Sequence, residues 1–487
     1  MVSVVEDETL AERFLRSGIL VLCLAVFLLV PLRIVSYGYL PPDDALRHSA
    51  HAVDGRDWNE VILLNPEFRP DMDSHPGWER LLRAVHLQTG WSPSGLVDFS
   101  VMFAFLSFTL AGLIVFGNAP AWLVACALMS VIEPALFHRL SLGRPVFFSM
   151  TALAVMLFLW TRIRPVRWWV EAAVGFSVFT IDTVMHPTTW YLWLLVVLPL
   201  VACRRWRSLF LMAAAMVASI AAASLFNGWY NTLLVPFLVL KFALFQAHVV
   251  GTNLVSELQP SGGAYSSLVV VAILLIVKCL RGANLRAEIL QVDFCLMLFT
   301  WMMGLFVLRF WTDWGLPAMA VWMSRQVRDS LDLKPSGLSR PWETVGLVGM
   351  AVGILYLGLT TDTEGRYTHA LKSAVLMVPV EEFTSELPED GGVLYSADMG
   401  AFYALYFRLP HAKFKFSTAF EPGFMPPEDL KVLRAIQSNG GVRAYKPWFE
   451  KMTSRDRVFL NAPVKPVWPE MEFKEFYGAW MGRKIVR

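Results

Sequence analysis

Two adjacent carboxylates, Asp43 and Asp44, stand in the run Pro41-Pro42-Asp43-Asp44-Ala45-Leu46-Arg47-His48. Such a pair supplies a general base with its orienter, or a base with a metal ligand. The same run is also a common way to open a surface helix, so capping stands beside chemistry as a reading. The segment 133–145 (EPALFHRLSLGRP) brings His138, Arg139 and Arg144 into one short connection between apolar runs. Guanidiniums placed there suit a phosphate. Glu133, at the edge of an apolar run, suits either a metal ion or an ion pair with Arg139.

Two further pairs have the i,i+4 spacing that puts side chains on one helical face. Asp182 and His186 can hydrogen-bond to each other or address a common cavity, and Arg309 and Asp313 can form a salt bridge or contact substrate. His48, His51, His75 and His86 lack a compact zinc-ligand spacing and read as surface histidines. No cofactor is required by any motif; if a metal is used, the oxygen donors Asp43, Asp44 and Glu133 suit Mg²⁺ or Mn²⁺. Near the C-terminus, Asp398, Tyr403, Arg408, His411 and Glu421 alternate with aromatics, as a saccharide-binding wall or a packed strand would.

These residues need elements to hold them, and the composition says which kind. Of 487 residues, 56% are hydrophobic and only 17% charged, and the mean hydropathy is +0.49. That excludes an ordinary soluble domain, where about 25% of residues are charged. Apolar runs near 17–37, 99–117, 120–137, 146–162, 168–186, 188–203, 207–226, 265–280, 288–308, 310–325 and 343–360 predict about eleven transmembrane helices. The run 232–250 holds Pro236, Lys241 and His248 and is expected to be re-entrant or to lie on the outer face.

With a cytoplasmic N-terminus, the inner loops carry Arg162/Arg164/Arg167, Arg204/Arg205/Arg207, Lys278/Arg281/Arg286 and Arg325/Arg328/Lys334/Arg340, which obeys the positive-inside rule. The first run has no cleavage site behind it and reads as an uncleaved span. The loop 38–97, with amphipathic helices near 43–53 and 78–88, and the segment 361–487 then share the outer face. The segment 361–487 is expected to be a small α/β domain, with strands at 392–397 and 413–419 and a helix at 427–438, following a polytopic domain of residues 1–360. Five cysteines all fall in or beside apolar runs and offer no disulfide framework. A net charge of +2 gives no reason to expect nucleic acid.

A first outer loop of short helices opening on Asp43-Asp44, a bundle of about eleven spans and an outer C-terminal domain together resemble the GT-C superfamily of lipid-dependent glycosyltransferases. That superfamily includes protein O-mannosyltransferases, aminoarabinose transferases and oligosaccharyltransferases. The acid pair matches the family pattern, while no WWD-type signature is found in the tail. The resemblance implies transfer of a sugar from a polyprenyl-phosphate carrier to an extracytoplasmic glycan, lipid or protein acceptor, with Asp43 or Asp44 as base. It also implies basic side chains opposite the acids to neutralise the departing phosphate. Short loops fit a bacterial inner membrane. A transporter or flippase for a lipid-linked solute, or a cell-envelope scaffold, are the alternatives from other classes.

Overall fold

A computed structural model describes residues 10–162, 166–245, 260, 262–330, 341–369, 379–418 and 420–485. Several sequence expectations therefore fall partly outside the described residues: Arg164, Lys334 and Arg340 of the basic loops, the end of the run 232–250, and the end of the strand 413–419.

The chain is predominantly helical, with a small sheet near its C-terminus. In chain order the first helices are α1 (Leu10–Val35), α2 (Asp44–Asp54), α3 (Trp58–Val61), α4 (Pro76–Thr89), α5 (Pro93–Phe116), α6 (Ala119–Ile132), α7 (Ala135–Ser141), α8 (Val146–Trp160) and α9 (Trp168–Met185). They are followed by α10 (Val197–Ala202), α11 (Trp206–Trp229), α12 (Val235–Phe245), α13 (Tyr265–Leu280), α14 (Leu285–Ile289), α15 (Val292–Gly304), α16 (Leu308–Phe310), α17 (Leu316–Ser330) and α18 (Pro341–Thr360).

Among the described residues, three helical stretches are long and apolar enough to cross a membrane: Phe14–Val35, Pro93–Phe116 and Trp206–Phe242. The α6–α7 pair makes a fourth only if it counts as one span, and it is bent by 98°. Pro134 begins the bend, because a ring without an N–H cannot continue the helix behind it. Other apolar runs form shorter helices, among them Val146–Trp160, Tyr265–Leu280 and Thr344–Thr360. The run 188–203 is wound as a tight 3₁₀ segment, Pro187–Val196, before α10. The described part of 232–250 is not a separate re-entrant piece. It continues α11 in one apolar stretch of 37 residues, broken at Gly228, whose φ of 76° the missing side chain permits.

Close helix contacts rest on two glycines. A Cβ on Gly77 of α4 would stand 2.3 Å from the Val184 carbonyl oxygen of α9, and one on Gly112 of α5 would meet the Trp122 ring at 2.2 Å. The carbonyl is backbone and cannot rotate away. We expect Gly77→Ala to lower stability by about 1–3 kcal/mol through overpacking, measurable as a fall in the thermal unfolding midpoint. An unchanged midpoint would mean that α4 can slide on α9.

The C-terminal segment folds as an α/β unit. Strands β1 (Val393–Ser396), β2 (Lys415–Phe416), β3 (Arg457–Leu460), β4 (Met471–Phe476) and β5 (Ala479–Lys484) form one sheet in the order β2-β1-β3-β5-β4. β1 is parallel to both β2 and β3, as strands joined through helical crossovers can be. β4 and β5 form an antiparallel hairpin closed by Tyr477-Gly478. Both residues have positive φ, which a two-residue turn matching strand twist requires. The helix expected at 427–438 is present as Pro427–Asn439.

The first loop and this α/β unit are joined. Leu63 N–H donates to the Phe416 carbonyl at 2.8 Å and Asn65 N–H to the Phe424 carbonyl at 2.7 Å. Ile62 thus forms a parallel bridge to β2. Trp58, 2% exposed, lies between the His51 and Phe420 rings. The loop 38–97 is consequently packed onto the rest of the molecule through α2, most of which is buried, and through the first turns of α4.

Candidate functional site

The acid pair opens α2. Asp43 takes the N-cap position and its side chain accepts from the Asp44 N–H at 2.7 Å, so capping is real at this residue. The Asp43 carboxylate also pairs with Arg144, from the turn ahead of α8. Asp44 accepts from Arg47 at 3.3 Å and lies 3.5 Å from the Arg144 guanidinium. The Tyr403 hydroxyl, from the helix Met399–Arg408 of the C-terminal unit, donates to Asp44 Oδ1 at 3.1 Å. One end of the bundle, the first loop and the C-terminal unit thus converge on two carboxylates. Burial acts to raise the Asp44 carboxyl, but Arg47 and Arg144 outweigh it and hold it well below the usual carboxylate range.

Arg47 is itself fixed from behind. Its guanidinium, 1% exposed, lies 4.0 Å over the Phe420 ring and donates to His48 Nε2 at 3.0 Å. An accepting Nε2 makes His48 neutral, with its Nδ1–H donating to Glu79 Oε1 at 2.8 Å. Burial, with Arg47 beside it, keeps the His48 imidazole from taking a second proton. His51 differs. Its Nδ1 bonds the other Glu79 oxygen and its Nε2 donates to the Arg56 carbonyl at 2.9 Å, so both nitrogens carry protons. Burial opposes that charge, and Glu79 more than offsets the penalty, raising the imidazole above its ordinary range. Burial would likewise raise Glu79, but His51 and His48 hold it well below the usual carboxylate range.

These histidines are therefore not surface groups. His48 is fully buried and His51 largely so, because α4 packs against α2 and brings Glu79 onto both rings. His75 stacks on His186 with ring centroids 5.0 Å apart and meets His48 edge-on at 5.0 Å. Burial, then the neighbouring His186 and His48, pushes the His75 imidazole well down, so it is uncharged. Only His86 fits the surface reading, bonding the Trp91 carbonyl at 2.8 Å.

The expected i,i+4 pairs separate in behaviour. Asp182 and His186 do not bond each other through their side chains. Ser149 stands between them, donating to Asp182 Oδ1 at 2.7 Å with its oxygen 3.4 Å from His186 Nδ1, and Trp193 Nε1–H takes the second Asp182 oxygen at 2.9 Å. Arg309 does pair with Asp313, at 3.2 Å. Asp313 also accepts two bonds from Arg139, at 2.8 and 3.0 Å. Arg139 is nearly buried against this carboxylate, with 7% of its side chain exposed, while Arg309 has 33% exposed.

Glu133 accepts from Ser267 and does not pair with Arg139. Among the described residues no three of His, Cys, Asp and Glu are grouped to hold a metal ion, so the Asp43, Asp44 and Glu133 set gains no support as a Mg²⁺ or Mn²⁺ site. His138 sits on the exposed side of α7. In the C-terminal unit Asp398 is an N-cap, accepting from Gly400 N–H at 2.8 Å, and His411 is 69% exposed. Arg408 ends the helix Met399–Arg408.

Glu421 is the group whose importance spacing hid. It feels Arg309, Asp44, Arg47 and Arg144, which places it among the charges of the site. Burial pushes its carboxyl from 4.5 up to about 7, against the pull of Arg309. A carboxyl raised in the folded state holds a proton that the unfolded chain has lost, so its contribution to stability falls as pH rises from 4.5 to about 7. We expect Glu421→Gln to gain on the parent in unfolding midpoint across that window. A constant difference between the two proteins from pH 4.5 to 7 would contradict this.

No family model matches the chain, and no curated protein matches it either.

Proposed function

We propose that the chain is a polytopic membrane glycosyltransferase of GT-C type, moving a sugar from a polyprenyl-phosphate donor to an extracytoplasmic glycan, lipid or protein acceptor. About eleven spans, a cytoplasmic N-terminus and a bacterial inner membrane complete this reading, with Asp43-Asp44 and the C-terminal unit on the outer face. The observation that carries it is the carboxylate pair Asp43-Asp44, set between Arg144 and Arg47 and roofed by Tyr403 from the C-terminal unit. Asp44 takes the proton of the acceptor hydroxyl, the acceptor oxygen attacks the anomeric carbon, and the carbon–oxygen bond to the carrier phosphate breaks. Arg309 and Arg144 receive the negative charge that gathers on that phosphate. Asp313, held by Arg139, positions Arg309.

A photoreactive polyprenyl phosphate tests the donor half of this account in purified protein reconstituted in lipid. Labelling should fall at least tenfold in Arg309→Gln, about one charge-assisted hydrogen bond. Labelling that is equal in the parent and the variant would remove Arg309 from the donor site and favour a transporter or scaffold.

A further inference from the structure

A polar cavity of about 220 Å³ lies at the far end of α8 from the site. Helix α8 starts beside Arg144, next to the acid pair, and its 15 residues end at Trp160, about 22 Å away. There the corner between α10 and α11 presents Arg204, Arg205, Trp206, Arg207 and Ser208 around the cavity, facing Trp160 and Glu171.

Four features make this corner a site. The Arg204 and Arg205 side chains form no ion pair or hydrogen bond with any described residue, so neither guanidinium is committed to an acid among them. Arg207 neutralises the one acid present, donating to Glu171 at 2.7 Å, while Glu171 also accepts from Trp160 at 3.1 Å. Ser208 is 8% exposed and lines the cavity, yet its hydroxyl has no partner among the described residues. Finally, Arg205 caps α11 without a side-chain bond, leaving the first-turn amides of a 24-residue helix directed at the same space. Arg204 holds its backbone at φ 55°, a strained conformation for a residue with a side chain.

We propose that this corner binds the phosphodiester of an anionic phospholipid headgroup. The guanidiniums supply paired donors matched to phosphate oxygens, Ser208 and the α11 amides add neutral donors, and Trp206, 51% exposed, lies at the level of the lipid interface. The site is headgroup-sized, so the acyl chains lie outside it against the apolar flanks of α11. Basic pockets between helices on the cytoplasmic side of a membrane protein hold anionic lipids in this way. The inference needs the membrane reading but not the sugar-transfer reading.

Native mass spectrometry of delipidated protein tests it, with phosphatidylglycerol, phosphatidylcholine and inorganic phosphate as the probes. The parent should retain one phosphatidylglycerol in at least tenfold preference to phosphatidylcholine, and excess inorganic phosphate should not displace it. The Arg204→Gln/Arg205→Gln double variant should lose the preference. Arg204→Gly is the control for folding, because glycine accepts φ 55° without strain while the guanidinium is removed with its stem. It should keep the parent's unfolding midpoint and still bind phosphatidylglycerol more weakly. Equal retention by all three proteins overturns the proposal, as does displacement by inorganic phosphate, which would assign the corner to the free ion.

Discussion

Asp44→Asn is expected to cut sugar transfer by about 10²–10⁴-fold, the usual contribution of a positioned general base, while leaving the fold intact. Asn keeps an oxygen for Arg47 and for the Tyr403 hydroxyl, which both meet Oδ1, while the longer Arg144 contact at the second oxygen goes with the charge. Asp43→Asn should retain more activity than Asp44→Asn. Asp43 is occupied by the Asp44 amide and by Arg144, and Asn caps a helix as well as Asp does. Asp44 has looser contacts, at 3.1–3.5 Å, and the more accessible side chain, 22% against 14%. Steady-state transfer by both variants, each matched to the parent in unfolding midpoint, checks the order. The reverse order would make Asp43 the base and Asp44 its orienter.

Glu79→Ala is expected to cost about 3–5 kcal/mol of stability, because it strands buried cations without their counter-charge. Glu79 is 5% exposed and takes one bond from His48 and one from His51, with Arg47 at 3.5 Å. Once the carboxylate is gone, His51 loses the partner that holds its second proton and Arg47 loses one of the groups that fix it behind Asp44. If the loss comes from stranded charge, His51→Asn in the Glu79→Ala background should cost less than the sum of the single changes. Thermal unfolding in one detergent measures this. A loss below about 1 kcal/mol for Glu79→Ala would mean that water reaches this cluster and solvates it.

Local features of the sequence forecast local structure well. Helices α2 and α4 begin at Asp44 and Pro76 and stop at Gly55 and Gly90, both left-handed C-caps, so their limits follow from residues a few positions apart. The Arg309–Asp313 pair was legible for the same reason. The strands expected at 392–397 and 413–419 and the helix expected at 427–438 appear as β1, β2 and Pro427–Asn439, whereas β3, β4 and β5 were not read from the sequence.

What spacing could not give is the set of partners fixed by packing. Asp313 takes Arg139 from 174 residues away, and Tyr403 reaches Asp44 across 359. No periodicity encodes such distances. The histidines of the first loop were misplaced for a related reason. Their polarity suits a surface, and only the partners that packing brings, Glu79 of α4 for His48 and His51 and the His186 ring for His75, make burial tolerable. Ser149 likewise displaces the direct Asp182–His186 bond because α8 packs beside α9. Glu421 attracted notice only as one polar residue in an aromatic stretch, and its place among the site arginines depends on how the C-terminal unit docks.

The central claim is that Asp43 and Asp44 serve sugar transfer from a lipid carrier. Its most direct test is turnover of radiolabelled polyprenyl-phosphate sugars by purified protein in lipid, with Asp44→Asn assayed beside the parent. The account predicts that one donor of the panel is consumed by the parent, with labelled sugar leaving the lipid phase, and that the folded variant consumes almost none. Consumption at the same rate by the variant would contradict it. So would a parent that binds these lipids and turns none over, which would leave the acid pair as the cap of α2 and its anchor to Arg144.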